Sequence, residues 1–257
     1  MRTMPPVPPY AAISIISAAA LAYEVLLTRL FSIVQWHHFA YLVISVALLG
    51  YGASGSLVAL LRERLVRHFA LVFAGSAALF GVSALTCFLL AQRVPFNALE
   101  VMWDARQWAY LGLMYFLLLW PFLFAATCVC LSFTAFPRLA HRIYSFDIGG
   151  AALGCVAVVA ALTVFHPLQV LAGIAGCSTL AAFAAALWSR ASFRWAVWVP
   201  LGGAGMAAVA AYGLGLELKP SPYKELSQTL RVLGTRVVAE RSNALGLLTV
   251  VESPQVP

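Results

Sequence analysis

Ionisable side chains interrupt the apolar segments of this chain at a few positions. Glu24 and Arg29 lie in the first apolar segment, His37 and His38 precede the second, and Asp147 opens a later one. A charge at the centre of a bilayer costs roughly 2.5–3.5 kcal/mol on insertion scales, so each one needs a partner or a role in binding. Because carboxylates suit a small cationic amine, we take these five residues as candidates for a substrate-binding site.

The spacing of Glu24 and Arg29 bears on what they can do. Five residues correspond to about 500° of helical rotation, so the two side chains lie about 140° apart and do not pair directly on one ideal helix. Each is expected to meet another helix or a polar cavity, with His37, His38 and Asp147 as possible partners. Three interpretations stay open: a structural clamp between helices, a ligand or proton site, and an Arg29 that extends to the membrane surface.

Metal and haem chemistry find little support in the sequence. Neighbouring residues of a helix diverge by about 100°, so His37 and His38 cannot easily share one metal. The other histidines lie at the ends of apolar segments, and no cysteine pair has CxxC spacing. We therefore predict no metal site, no catalytic residue and no cofactor within this chain, and we interpret the cysteines as small packing residues. They are Cys87, Cys128, Cys130, Cys155 and Cys177.

The elements that position these residues are membrane helices. The composition is 63% hydrophobic and 10% charged, whereas soluble domains carry about 25% charged residues. The net charge of +7 comes from arginines in short loops, which indicates membrane topology and anionic lipid rather than nucleic acid. We predict a multi-pass protein of the cell membrane, in bacteria the inner membrane, with the lipid bilayer as its main partner.

Apolar segments of about 20 residues, the length that a bilayer core requires, recur along the chain. We predict an all-α bundle of about seven transmembrane helices within residues 1–216. The first segment, with Arg2 before it and small residues near Ala22, also fits a signal peptide. Pro121 is expected to kink the fourth helix. The predicted spans are 11–30, 38–61, 69–91, 109–135, 145–165, 168–188 and 195–216.

Residues 217–257 differ in composition from the preceding chain. Lys219 to Lys224 reads as a linker, and strands are predicted over 236–240 and 247–252 with a turn over 242–246. We therefore predict two regions, a transmembrane module over 1–216 and a β-hairpin fragment of a soluble domain over 217–257.

Two glycine patterns predict helix packing. Gly50, Gly52 and Gly55 match the dinucleotide-binding pattern GxGxxG, but that motif needs a strand before it and a helix after it, not an apolar span. We predict instead that Gly52 and Ser56, four residues apart, form a small-residue packing face together with Gly50 and Gly55. The pair Gly150 and Gly154 predicts a second such face, and Asp147 suits the N-terminal part of its helix.

Arginine distribution predicts the orientation in the membrane. The loops 62–68, 137–144 and 189–194 hold seven arginines, whereas Arg93 and Arg106 in an alternate loop are offset by acidic residues. The positive-inside rule places the arginine-rich loops and the N-terminus in the cytoplasm. Seven spans would then place the hairpin outside.

Three stretches resemble one family. Residues 23–55, YEVLLTRLFSIVQWHHFAYLVISVALLGYGASG, look like the first two membrane helices of membrane-bound spermidine-synthase-like proteins. Residues 144–154, YSFDIGGAALG, and the hairpin region 221–254 are similar to two further segments of that family. The resemblance implies a membrane module before an aminopropyltransferase-like domain that uses decarboxylated S-adenosylmethionine. Ser242 matches a serine that contacts this cosubstrate in the soluble enzymes, but Leu245 stands where they have glutamine.

The transferase motifs themselves are missing from these residues. No Gly-rich loop follows a strand, and the acidic residues for the ribose and the amine have no counterpart. We therefore expect this chain to be a membrane module that anchors a catalytic domain, in cis or in trans, and to involve decarboxylated S-adenosylmethionine only if a full synthase domain follows. The alternatives are a stand-alone transporter or channel subunit for a small amine or lipid-like solute, and a membrane redox protein.

Overall fold

A computed structural model describes residues 7–34, 39–97 and 100–189, and beyond them residues 226, 229, 230, 232, 234–242 and 247–252. Seven α-helices and one antiparallel hairpin make up this part of the chain. The helices are α1 (Tyr10–Val34), α2 (Phe39–Leu60), α3 (Arg62–Arg67), α4 (Phe69–Ala91), α5 (Arg106–Ala135), α6 (Ala140–Leu162) and α7 (Pro167–Trp188). The strands are β1 (Arg236–Ser242) and β2 (Leu247–Glu252).

Six of these helices, all except the short α3, are long and apolar enough to cross a membrane. Each of them coincides with one of the predicted apolar segments, while the seventh, 195–216, lies outside the described residues. The helix α5 continues unbroken through Pro121 over 30 residues. The helix α7 starts at Pro167, where a missing amide hydrogen costs nothing. His166 caps it, because its Nδ1 accepts from the backbone amide of Leu168.

Five of the long helices form a ring, in the spatial order α1, α7, α4, α5 and α2, and α6 packs outside the ring against α1. Tyr23 of α1 occupies the middle of the ring and is fully buried. Its ring lies 5.7 Å from that of Phe80 on α4 and 5.4 Å from that of Phe122 on α5. The apolar core is therefore built around the Tyr23 side chain of α1.

One end of the bundle collects the arginine-rich loops, and we call it the arginine end. The exposed residues Arg62, Arg64, Arg67, Arg138 and Arg142 lie in α3 and around the start of α6. An aromatic cluster closes this end, because the ring of Phe69 lies 5.4 Å from both Phe136 and Trp188. The indole Nε1 of Trp188 also donates to the carbonyl oxygen of Val7 at 2.8 Å, so the chain enters and leaves the six-helix unit at the same end.

Small residues bring α6 and α2 close to their neighbours. A Cβ atom at Gly150 would overlap the carbonyl oxygen of Ser14 on α1, and one at Gly154 would overlap that of Ala18. On α2, a Cβ atom at Gly50 would lie 2.6 Å from the Cβ atom of Phe122. Glycine is needed at these three positions because the helix backbones approach each other so closely.

The structure corrects the predicted packing face around Gly52. No atom of another described helix lies within 4 Å of a Cβ atom built at Gly52 or at Gly55. Ser56 is exposed, and its hydroxyl donates to the carbonyl oxygen of Gly52 in its own helix. The buried face of α2 contains Gly50 and Ser54 instead. Two residues along a helix correspond to about 200° of rotation, so Gly52 points away from the helix that Gly50 contacts.

The hairpin agrees with the predicted strands. β1 pairs with β2 in antiparallel register, with a bulge between Val237 and Ala239, and Arg236 forms an ion pair with Glu252 at 2.7 Å. β1 runs two residues further than predicted, so Ser242 belongs to the strand rather than to the turn. Residues 243–246, including Leu245, lie outside the described residues.

Candidate functional site

Asp147 forms a polar contact between two membrane helices. It lies on α6 one turn before Gly150 and is partly buried. Its Oδ1 atom accepts a hydrogen bond from the hydroxyl of Ser17 on α1 at 2.5 Å. The contact forms where the glycines of α6 let the two backbones approach, so the packing face and the candidate polar site share one helix interface.

Glu24 lies on the same face of α1 as Ser17. Their separation of seven positions corresponds to about two helical turns and about 10 Å along the axis. Glu24 is partly buried, and its carboxylate forms no hydrogen bond or ion pair with another described residue. Tyr51 of α2 lies in the neighbourhood of both Asp147 and Glu24. The two acidic residues therefore border a common region between α1, α2 and α6.

Arg29 does not join this group. It lies 12 residues beyond Ser17 on α1, which corresponds to about 18 Å along the helix, and close to the end of the helix at Val34. No ion pair links it to Glu24 in the described part of the chain, in agreement with the angular argument from sequence. His37 and His38 lie outside the described residues, so the structure brings together Asp147 and the region of Glu24 only.

Hydroxyl groups that the sequence did not single out extend the polar region into the bundle. Ser54 of α2 and Thr127 of α5 are both buried, and their hydroxyl oxygens lie 3.1 Å apart. Thr127 also donates to the carbonyl oxygen of Leu123 at 2.7 Å, which leaves Ser54 as the donor between the two. Serine and threonine are common in membrane helices, so only the pairing of α1 with α6 and of α2 with α5 makes Ser17, Ser54 and Thr127 stand out.

Metal-binding groups do not converge in the described ranges. No three His, Cys, Asp or Glu side chains there lie close enough to hold an ion. The cysteine Cys128 instead donates weakly to the carbonyl oxygen of Phe73 at 3.5 Å. The arrangement can bind a cation or an amine through carboxylates and hydroxyls.

A separate apolar cleft of about 780 Å³ lies between α1, α6 and α7, and we call it the α1–α6–α7 cleft. Small side chains form most of its wall, and Gln169 contributes a polar group. Its lining includes Ala18, Ala22, Gly154, Ala157, Ala161, Gly173 and Cys177. Because α6 packs outside the ring, the cleft lies between α6 and the two ring helices α1 and α7.

Comparison with known proteins adds no relative: no family model, curated protein or solved structure matches the chain. The class of protein is therefore inferred from the helices of this chain alone. Six long apolar helices in the described residues are compatible with a multi-pass membrane protein.

Proposed function

We propose that this chain is the membrane module of a spermidine-synthase-like protein and anchors an aminopropyltransferase-like domain at the bilayer. The observation that carries the proposal is the antiparallel hairpin of β1 and β2, which follows the membrane helices in the chain. The family that residues 23–55 resemble has the same order, a helical module followed by a hairpin that opens the synthase domain. The resemblance and the observed order of elements thus support the same assignment.

The surface of the hairpin supports a larger soluble domain. A two-stranded sheet alone is marginal in water and needs further strands or a helix to cover an apolar face. Four of its apolar side chains are 46–65% exposed. They are Val237, Val238, Leu248 and Val250. A domain that covers them, in cis or in trans, would supply the Gly-rich loop and the acidic residues for decarboxylated S-adenosylmethionine.

The test combines the mass of the native protein with an activity assay. We would tag the N-terminus, purify the protein from native membranes, and read the coding sequence beyond codon 257. The proposal expects a catalytic domain, either as a mass above 27.6 kDa or as a second chain that copurifies. That preparation should transfer an aminopropyl group from decarboxylated S-adenosylmethionine to a small amine. A 27.6 kDa protein that purifies alone and transfers nothing would refute the proposal.

A second candidate function is transport of a small amine or lipid-like solute. The specific observation in its favour is Glu24, a carboxylate at bilayer depth with no bonded partner among the described residues, near Tyr51 and on the same face of α1 as Ser17. The test is uptake of a labelled diamine into proteoliposomes. Transport by the purified chain, lost in Glu24→Gln but kept in an exposed control on α3 such as Arg62→Gln, would favour this candidate. Absence of uptake by the wild type would exclude it for that substrate.

A further inference from the structure

We propose that the arginine end of the bundle is a binding site for anionic phospholipid, with Arg138 and Arg142 at the start of α6 as the main contacts of the headgroup. The proposal concerns the lipid surroundings of the helices and does not depend on the proposed function. The arginine-rich loops by themselves predict an orientation in the membrane. The structure adds where their charges lie and which groups surround them.

The positive charges of the arginine end have no counterions among the described residues. None of its five arginines forms an ion pair with another residue of the described ranges. A single acidic residue, Glu63, lies among the three arginines of α3. The acid of α6, Asp147, accepts a hydrogen bond from Ser17 and so lies on the side of α1. An excess of positive charge therefore remains at this end for an anion to neutralise.

Packed elements hold these charges around the end of α5. The helix α3 contacts α5, and the 3-10 turn Pro137–Leu139 contacts both α5 and α6. Leu65 and Val66 of α3 pack against the apolar core, while its arginines are exposed. The charges of α3 and of the α5–α6 connection thus lie at one place on the bundle, around the last turn of α5.

The start of α6 places cations where helices favour anions. The macrodipole gives the N-terminal turn of a helix a partial positive charge, so acidic side chains are stabilising there and basic ones are not. The first turn of α6 has no acidic residue, and its N-terminus has no side-chain cap. The exposed Arg138 and Arg142 lie there instead. These two arginines repel the helix dipole and each other unless an anion lies between them.

The face of α6 beyond Arg142 matches the rest of a phospholipid. Phe146, Leu153 and Val156 follow Arg142 after 4, 11 and 14 residues, which are spacings of one helix face. Their side chains are 45%, 70% and 70% exposed. Leu153 lies about 16 Å along the axis from Arg142, about half of a 30 Å bilayer core. Basic, aromatic and aliphatic groups thus follow the order of headgroup, interface and acyl chain, whereas an acidic soluble protein would match only the charges.

Lipid binding to the purified full chain tests the site. Phosphatidylglycerol and phosphatidylcholine with identical acyl chains are added to the delipidated protein in detergent, and the bound lipids are counted by native mass spectrometry. We expect the wild type to prefer phosphatidylglycerol. A basic residue near anionic lipid contributes a factor of about 5 in binding. Arg138→Gln combined with Arg142→Gln should therefore weaken phosphatidylglycerol binding about 25-fold and leave phosphatidylcholine binding unchanged.

Two further variants serve as controls. Arg93→Gln combined with Arg106→Gln removes the same charge from exposed positions at the opposite end of the bundle, and it should leave phosphatidylglycerol binding unchanged. Arg138→Lys combined with Arg142→Lys keeps the charge and should keep most of the preference, which separates loss of charge from loss of folding. Equal losses in the two glutamine variants would overturn the proposal, and so would a wild type that binds both lipids equally.

Competition separates a lipid from other anions. Glycerol 3-phosphate carries the phosphate without acyl chains, so we expect it not to displace phosphatidylglycerol even in large excess. Full displacement would refute the assignment to lipid. An acidic soluble protein that binds the wild type, is lost in Arg138→Gln with Arg142→Gln, and replaces any preference for phosphatidylglycerol would also refute it and would assign the arginine end to that partner.

Discussion

The centre of the ring and the attachment of α6 use opposite means of packing. In the centre, the large ring of Tyr23 meets Phe80 and Phe122 and is fully excluded from the surface. At α6, Gly150 and Gly154 remove side chains altogether, so that the backbone of α1 itself forms the contact. In the ring centre a large side chain fills the space between helices, whereas at α6 the lack of side chains lets two helix backbones come into contact.

The two kinds of packing differ in the polar groups and open space that lie beside them. The aromatic centre has a single polar group, the Tyr23 hydroxyl, which lies 3.4 Å from the carbonyl oxygen of Ala84. The glycine contact of α6 lies beside the Ser17–Asp147 hydrogen bond and borders the α1–α6–α7 cleft. The Ser17–Asp147 hydrogen bond and the cleft thus lie where α6 closely approaches α1, whereas the aromatic centre of the ring contributes buried packing.

Truncating the central side chain should have the largest effect. Tyr23→Ala removes an entire buried ring, and comparable substitutions in protein cores cost about 3–5 kcal/mol. We expect a large fall in the free energy of unfolding, measured by denaturation in mixed micelles. Tyr23→Phe is the control, because it keeps both ring contacts and loses only the long hydrogen bond to Ala84. Similar losses in the two variants would show that the ring is not what stabilises the centre.

Adding a side chain at Gly154 should disrupt the close contact between α6 and α1. Gly154→Leu forces a side chain into the carbonyl of Ala18, and overpacking of this kind costs about 1–3 kcal/mol or more. We expect reduced folded yield and a lower thermal midpoint. Gly149→Leu on the same helix is the control, since no described atom lies within 4 Å of a Cβ atom there. If Gly149→Leu were equally harmful, the close approach of α1 and α6 would be wrong.

The packing face of α2 gives a smaller but sharper test. A Cβ atom at Gly50 meets Phe122, whereas one at Gly52 meets no described atom. We expect Gly50→Ala to destabilise the protein by about 1 kcal/mol, at the lower end of overpacking costs, and Gly52→Ala to have no destabilising effect. Thermal midpoints of the purified variants decide between them. The reverse order would restore the packing face that the sequence first indicated.

The polar contact of α6 should contribute least. Hydrogen bonds between membrane helices average about 0.6 kcal/mol in double-mutant cycles, with a maximum near 1.7. We expect a coupling free energy of this size between Ser17→Ala and Asp147→Asn. The four unfolding free energies of the cycle provide the measurement. A coupling near zero would mean that Asp147 is held by other contacts and that α6 depends on its glycines alone.

The sequence predicted the elements better than their contacts. Long apolar runs and the alternating pattern around 236–252 were enough for six helices and the hairpin, because length and periodicity are local properties. Of the glycines predicted to pack on α2, Gly50 meets Phe122 of α5 and Gly52 meets no other described helix. The sequence grouped them because both are small, and only the position of Phe122 distinguishes them. That distinction depends on residues about 70 positions apart.

The candidate site was predicted in part for the same reason. Asp147 and Glu24 were recognisable as carboxylates in apolar sequence. Ser17, Tyr51 and Ser54 were not, because a hydroxyl in a membrane helix is ordinary until its neighbour on another helix is known. Arg29 was grouped with Asp147 because both are charged. In the structure Arg29 lies about 18 Å along α1 from Ser17, the residue that Asp147 contacts.

The placement of α1 has a consequence for how the protein is made. This helix is synthesised first, yet its main partners among the described helices, α6 and α7, are synthesised last. The acceptor of the Ser17 hydrogen bond, Asp147, lies 130 residues further along the chain. At about 5–20 residues per second, translation leaves α1 without that acceptor for on the order of 10 s. During biogenesis Ser17 must therefore first face lipid, an earlier helix or the insertion machinery. Photo-cross-linking from position 17 on ribosome-bound chains of increasing length should record the moment when α6 displaces that first neighbour.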